Sequence, residues 1–351
     1  MAGVTAIEST VTLFRKERKP PTDAHSFSRS VADYGRPLPP SCVQHPPGRT
    51  SSAFSGDHHD MTFDNLSDTL STLSPLTTKP ANVPLLTGPP TKEELLAHYP
   101  AKFTWAQLKT FVNSGDLGLL KRDKKLQVRY DTWAKGIREE YGSIVGYLRD
   151  YRLQWGKPDT LSLLHSRLDN ENNANTTTPS IPIDSQIPIE APSYFTANTP
   201  SELISIIMND WPYSVPADIE HSLIWTQVPI IPSSLPPSIA PRVTQDGLWG
   251  FTGNTAPPPS PSTLPSCLPA LAEWGVTMDK LVCSPKGTEE EEELVKQAGS
   301  DIAAFVRNRW NEREWETAWF VNPPRLQSVP GLAHIHVFAR HKLPEEIAGA
   351  H

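Results

Sequence analysis

The residues with the clearest chemical potential are two histidines that alternate with apolar residues in the segment HIHVFAR, positions 334 to 340. This alternation predicts a β-strand. Because side chains two positions apart on a strand share a face, His334 and His336 project side by side, roughly 6.5–7 Å apart. Arg340 continues the same face, and Ile335 lies on the opposite one. Two imidazoles and a guanidinium on one surface predict a site for a metal ion or an anion.

A third histidine, His221, lies in an earlier predicted strand, IEHSLIWT, on the face that also carries Trp225. If the two strands pair with these faces aligned, all three imidazoles converge. Asp210 or Glu220 then comes within reach as a carboxylate, and either Trp211 or Trp225 covers the pocket. Asp210, Trp211, Trp225 and Arg340 are therefore the candidate ligand-binding residues.

Three roles are open to these histidines. Neutral imidazoles bind zinc at roughly 2.0–2.1 Å and leave a position for water, so His221, His334 and His336 are the candidate metal ligands. Alternatively, they are catalytic residues, with a strand-borne histidine acting as nucleophile or general acid–base at a phosphate that Arg340 or Arg325 holds. In the third role they only hydrogen-bond neighbouring backbone groups inside a half-buried strand.

Composition excludes several classes of protein. The chain has 351 residues and a net charge of -7, so it offers no broad basic surface, and we expect no nucleic-acid partner. No run of about 18 apolar residues is present, so no membrane span is expected. Three widely spaced cysteines form neither a disulfide framework nor a zinc knuckle, and no secretory signal is visible. These features predict a cytoplasmic protein.

The 37 prolines are concentrated in segments without periodicity, and they divide the chain. The predicted organisation is a disordered tail at 1–90, a helical unit at 91–155, a linker at 156–193, an α+β unit at 194–341 with a proline-rich insertion at about 229–270, and a tail at 342–351.

Helix signals are clear in the helical unit and again near residue 290. Thr91 with Glu94, and Thr104 with Gln107, are capping-box pairs that begin two helices. One apolar stripe then recurs at three- and four-residue steps: Leu126, Tyr130, Trp133, Ile137 and Tyr141. A short helix is predicted in TPSELISIIM. An acidic-capped helix is predicted in TEEEEELVKQAGSDIAAFVRNRWNEREW, either continuous or broken into two pieces at Gly299-Ser300. With the strands at IEHSLIWT, ETAWFVN and LAHIHVFAR, the predicted fold is α+β: a helical unit packed on a small antiparallel sheet.

Several blocks also carry a family resemblance: FTWAQLK, YGSIVGYLRDYRLQW, NDWPY, IEHSLIWTQVP and WFVNPPRLQSVPGLAHIHVFAR. Through them the chain resembles the fungal N-acetylglucosamine-induced protein family, a domain of unknown function, over about residues 99–341. The resemblance implies a fungal, cytoplasmic protein. It assigns no reaction and no catalytic residue.

Two functions from different classes follow. The first is a small-molecule binding protein, or a hydrolase or transferase, that takes a sugar, sugar phosphate or nucleotide and uses the strand-borne histidines. The second is a non-catalytic regulatory or interaction domain whose proline-rich segments bind protein partners. The sequence names no cofactor beyond the zinc that the histidines could hold.

Overall fold

The computed structural model describes residues 83–169 and 191–349. The tail predicted before residue 83, most of the predicted linker and the last two residues lie outside the described residues. Those predictions stay predictions.

The helical unit precedes the sheet in the chain, and further helices lie between the later strands and after the last one. The helices are α1 (Lys92–His98), α2 (Trp105–Asn113), α3 (Lys124–Tyr141), α4 (Ile144–Tyr147), α5 (Ala240–Asp246), α6 (Leu264–Cys267), α7 (Glu289–Ala298), α8 (Ser300–Arg309) and α9 (Pro344–Ala348). A π-helical turn at Leu148–Arg152 extends α4. Short 3₁₀ turns lie at Leu117–Leu119, Ser201–Leu203, Pro261–Thr263, Leu268–Trp274, Met278–Lys280 and Pro324–Leu326.

Five strands form one antiparallel sheet in the order β1-β2-β5-β4-β3. The strands are β1 (Ile204–Met208), β2 (Ile219–Thr226), β3 (Leu248–Thr252), β4 (Trp315–Val321) and β5 (Ala333–His341). Helices and an antiparallel sheet confirm the predicted α+β class. The last strand in the chain, β5, is the central strand of the sheet.

The predicted helix starts are confirmed by their hydrogen bonds. The Thr91 side chain accepts from the Glu94 backbone N–H, and the Glu94 carboxylate accepts from the Thr91 N–H. Thr104 and Gln107 form the same reciprocal pair. These caps satisfy backbone donors that have no partner within the helix, which is why the helices begin there.

The helix predicted in TPSELISIIM is wrong. A 3₁₀ turn at Ser201–Leu203 leads directly into strand β1, which pairs with β2 through contacts such as Ile206 opposite Ile224. The isoleucines of this segment are β-branched and suit a strand better than a helix, and pairing with β2 decides between the two.

The segment at 229–270 is more ordered than its prolines suggested. It contains helix α5 and strand β3, which forms the edge of the sheet beside β4. Gly253, with φ +66°, follows β3, and a Cβ there would collide with the Trp315 carbonyl. Glycine therefore lets the chain leave the edge strand close to β4.

Both faces of the sheet are covered. Ile335 and Val337 of β5 pack in one apolar cluster with Ile302 and Val306 of α8. The opposite face, which carries the histidines, packs against α2 and the π-helical turn, with clusters that include Phe111 of α2. None of the helices in the described part of the chain is long and apolar enough to cross a membrane.

Candidate functional site

The pairing of β2 with β5 brings the three histidines onto one face of the sheet. The register places His336 opposite Leu223 and His334 opposite Trp225, so His221, two residues before Leu223, joins the same face. The ring centroids of His221 and His336 are 5.3 Å apart, and those of His336 and His334 are 5.0 Å apart. The expected convergence of the imidazoles is observed, and we call these three residues the histidine row.

The histidine row is buried. His221, His336 and His334 are 2 %, 5 % and 7 % exposed. This face of the sheet is covered, in part by Tyr213, whose ring centroid lies 5.0 Å from that of His221. Each imidazole lies against an aromatic ring, with centroid distances of 4.2 Å for His221–Phe338, 4.4 Å for His336–Phe320 and 4.2 Å for His334–Trp225.

A directed chain of hydrogen bonds joins two of the three rings. The Tyr213 backbone N–H donates to Nδ1 of His221 at 3.2 Å, so a neutral His221 carries its proton on Nε2. That nitrogen donates to Nδ1 of His336 at 3.0 Å. His336 then holds its own proton on Nε2, which lies 3.2 Å from the side-chain amide of Asn322. In the structure Nδ2 of Asn322 occupies this position, but because Nε2 of His336 donates, the order of donors requires the amide to be turned so that its oxygen accepts.

Burial keeps the row neutral. Loss of hydration lowers the pKa of His221 and the pKa of His336 well below the usual range, and the Arg122 guanidinium adds to this effect on both. Burial also lowers the pKa of His334 to about 4, although a hydrogen bond to the Leu332 carbonyl acts in the opposite direction. A general base needs a free lone pair, and both nitrogens of His221 and of His336 are engaged. His334 is the member of the row that retains one.

The row does not have the geometry of a metal centre. Among residues 83–169 and 191–349, no three His, Cys, Asp or Glu side chains are placed to hold a metal ion. The imidazoles follow one another along the sheet, and His221 and His336 share a hydrogen bond instead of facing a common point. The zinc role predicted for these histidines therefore does not fit the fold.

Arg340, predicted to bind an anion, is held by two carboxylates. Its Nη2 lies 2.7 Å from Glu316 and 2.8 Å from Glu346. The hydrogen bonds from Arg340 lower the pKa of Glu346 to about 2. Buried Glu316 also accepts from the Lys109 ammonium and the Trp105 indole. Arg340 thus links β5 to β4 and α9.

The other candidate ligand-binding residues also have partners within the fold. Asp210 accepts two hydrogen bonds of 2.8 Å from the buried Arg152 guanidinium. Trp211 packs against Trp133 of α3 with ring centroids 5.2 Å apart, and Trp225 covers His334. Contact with a ligand remains a prediction for each of these residues.

A large cavity lies at the end of the sheet where β2 begins and β5 ends. Its volume is about 960 Å³, at the upper end of the range for small-molecule sites. Its wall includes Leu95 of α1, Ile347 of α9 and the loop that carries Tyr213. Because His221 also lines the wall, the large cavity reaches one end of the histidine row.

A buried lysine gives the wall of the large cavity a positive charge. Lys342 is 5 % exposed, and its Nζ donates to the Glu312 carbonyl at 2.6 Å. In the described ranges no carboxylate lies within 4 Å of this ammonium, and two of its three N–H donors find no acceptor there. The exposed side chains of Lys92 and Arg313 line the same cavity.

Three acids, Asp123, Asp218 and Glu220, line the same wall. Glu220 already accepts from the Ser166 hydroxyl and from the Arg167 backbone N–H, and Asp123 caps α3 and pairs with Lys102. Asp218 is exposed at the wall. The wall therefore carries charges of both signs, and Lys342 is its buried cation without a carboxylate partner among the described residues.

Sequence reasoning missed three residues of this region: Tyr213, Asn322 and Lys342. A signal existed for Asn322, because it follows Phe320 by two positions and so continues the β4 face that pairs with His336. Tyr213 donates its backbone N–H to His221 and stacks its ring 5.7 Å from that of His336, and both contacts depend on the pairing of distant strands. Lys342 was assigned to a tail, since its partner is a carbonyl in a distant loop.

Comparisons with known proteins give a family and one distant relative. The family model described as protein of unknown function (DUF3605) matches residues 104–243 and 282–340, more than half of the chain. N-acetylglucosamine-induced protein 1 of Candida albicans is 25 % identical over 128 residues, which cover 36 % of this chain and 44 % of that protein. The match thus spans less than half of the relative.

A solved structure described as the crystal structure of HTC1 covers 71 % of this chain and 89 % of its own, at 18 % identity. Its TM-score is 0.31, and at that value the likeness carries no argument about fold or function.

Proposed function

The chain belongs to the DUF3605 family of proteins of unknown function, as its resemblance predicted, and from that premise we propose that it binds a small anionic molecule, such as a sugar phosphate, in the large cavity. The observation that carries the proposal is Lys342. A buried ammonium with two unused donors on a cavity wall is stabilised by a ligand that brings oxygen acceptors and negative charge.

The dimensions and the remaining charges of the cavity support the same ligand class. A volume of about 960 Å³ accommodates a phosphorylated sugar. Lys92 and Arg313 supply cations near the opening, and Tyr213 adds a ring to the wall. Aromatic and apolar walls with a few placed polar groups are typical of small-molecule sites.

The state of the histidines favours ligand binding over catalysis as the function of the large cavity. His221 reaches the cavity with both ring nitrogens already engaged, and burial depresses its pKa. Proton transfer to a ligand would require the Tyr213 and His336 hydrogen bonds to break. We therefore infer that His221 supports the wall of the large cavity through its hydrogen bonds and transfers no proton to a ligand.

The name of the Candida relative states that it is induced by N-acetylglucosamine. The 6-phosphate of that sugar is accordingly the first probe. Titration calorimetry of the full chain at neutral pH and low salt should show saturable binding of N-acetylglucosamine 6-phosphate or glucose 6-phosphate. The unphosphorylated sugars should bind at least about tenfold more weakly, a difference of about 1.4 kcal/mol.

Two matched variants test the role of the lysine. Lys342→Met removes the charge at similar length and should weaken sugar phosphate binding at least about tenfold. Lys125→Met, at an exposed lysine of α3, should leave the affinity unchanged. Circular dichroism confirms that both variants fold. Absence of saturable binding by either sugar phosphate, or unchanged affinity in Lys342→Met, would contradict the proposal.

One observation favours the regulatory or protein-interaction alternative. Leu96 and Leu343 line the large cavity and are 53 % and 52 % exposed, which suits an apolar segment of a protein partner. Under this alternative, sugar phosphates give no binding heat. The double substitution Leu96→Ser and Leu343→Ser would then remove the cross-links that the wild-type chain forms with its partner.

A further inference from the structure

A second, smaller cavity lies at the other end of the histidine row. Its volume is about 240 Å³, well above the roughly 10–15 Å³ that a single water molecule needs. Pro229, Ile230, Ile231 and Val321 form its apolar walls. The polar side chains on its wall are Asn322, Gln327 and His334, and none of these carries a charge at neutral pH.

His334 brings an unused hydrogen-bond acceptor to this small cavity. Its Nδ1 lies 3.1 Å from the Leu332 carbonyl, which can only accept, so the proton of the neutral ring resides on Nδ1. The opposite nitrogen, Nε2, is then a bare lone pair. Within the described ranges it has no hydrogen-bond partner, although the residue is only 7 % exposed.

The ring cannot easily turn to satisfy Nε2 elsewhere. Trp225 lies on one side, with centroids 4.2 Å apart, and His336 is 5.0 Å away. Rotation would also break the bond to Leu332. Nε2 of His334 is not among the fully buried polar atoms of the described residues, so it is accessible from the cavity, and the donor that pairs with it comes from outside the protein fold. The depressed pKa of about 4 agrees with a ring that accepts at neutral pH.

We propose that the small cavity is a ligand site for a small neutral molecule that donates an O–H or N–H to Nε2 of His334 and places an apolar body against Ile230 and Val321. The lone pair repels anions, and no cation lines the cavity, so this site selects a different class of ligand from the large cavity. The inference is independent of sugar phosphate binding.

A pair of ring compounds tests the proposal on the full chain. Cyclopentanol donates a hydroxyl, whereas cyclopentanone, of nearly the same shape, can only accept. Long-range ¹H–¹⁵N NMR spectra at neutral pH report the shift of His334 Nε2 during titration. Cyclopentanol should move this resonance saturably, and cyclopentanone should bind at least about tenfold more weakly because it leaves the lone pair unpaired.

The variant Ile231→Trp, at a half-buried position of the wall, should fill the cavity and remove the cyclopentanol effect. Val282→Trp, at an exposed position outside the cavity, should preserve it. His334→Phe keeps a ring but removes the acceptor; with the backbone amide resonance of Ala333 on the cavity wall as the readout, the alcohol and the ketone should then bind equally. No saturable shift in the wild type, equal response to both compounds, or a full response in Ile231→Trp would each overturn the proposal.

Discussion

At the scale of single residues, strand alternation predicted which way each side chain of HIHVFAR points, but not what covers it. His334 and His336 do share a face with His221, since the period of a strand is two residues. The burial of His336 and His334 depends on groups distant from them in sequence, such as the ring of Tyr213 beside His336 and that of Trp225 beside His334. Hydrogen bonds such as that between His221 and Tyr213 use the backbone, so residue types do not reveal them.

The buried row makes stability depend on pH. The folded-state pKa of His334 is about 4, whereas its usual value is 6.5, so between these values the unfolded chain binds more protons than the folded one. The unfolding free energy therefore falls as pH decreases through this window, by about 3 kcal/mol for His334 alone. His221 and His336 shift in the same direction and should steepen the fall.

Urea melts at pH 7, 6 and 5 measure this effect. His334→Gln should reduce the slope, whereas His165→Gln, at an exposed position, should retain it. A free energy of unfolding that stays constant from pH 7 to 5 would show that the row is not held neutral.

At the scale of elements, the sequence predicted a helix correctly where the residues that start it lie within one turn. It failed where pairing with a distant strand determines the conformation. The capping pairs at Thr91 and Thr104 were predicted because both members lie within one turn. Strand β1 was missed because its conformation depends on β2, and β3 because its pairing with β4 lies far along the chain.

The apolar stripe of α3 gives a prediction at this scale. Trp133 is half-buried and packs against Trp211, Tyr130 and Tyr147. Trp133→Ala should cost about 3 kcal/mol, at the low end for a large aromatic because part of the ring is exposed. Val128→Ala, on the exposed face of the same helix, should change stability by less than about 0.5 kcal/mol. Chemical denaturation of both variants measures the difference, and a loss under about 1 kcal/mol in Trp133→Ala would count against packing as the role of this ring.

At the scale of the whole molecule, the helical unit makes contacts with residues that precede Thr91. Residues 83–90 had been assigned to the tail, yet the Leu86 N–H donates to Glu94 at 2.7 Å and Arg129 donates to the Gly88 carbonyl at 2.8 Å. His98 also hydrogen-bonds the Val83 carbonyl. The composition of this segment gave no sign of these contacts, because they use backbone groups and no apolar face.

Two truncated chains should therefore behave differently. A chain that starts at Val83 keeps these contacts, and its Tm should match that of the full chain within a few degrees. A chain that starts at Thr91 loses about three hydrogen bonds and should melt roughly 5–10 °C lower. Differential scanning calorimetry compares them. Equal Tm values for both truncations would contradict a stabilising role for residues 83–90.

The strand order also has a consequence for how the protein is made. The pairs β1–β2 and β3–β4 are complete before β5 is synthesised, but β2 and β4 have no hydrogen bonds to each other and meet only through β5. The sheet must remain in two halves on the ribosome until the last strand inserts between them. His336 is synthesised 115 residues after His221, so the hydrogen bond between them forms late. Such long-range closure slows folding, and until β5 arrives the facing edges of β2 and β4 are open to wrong partners, including other nascent chains.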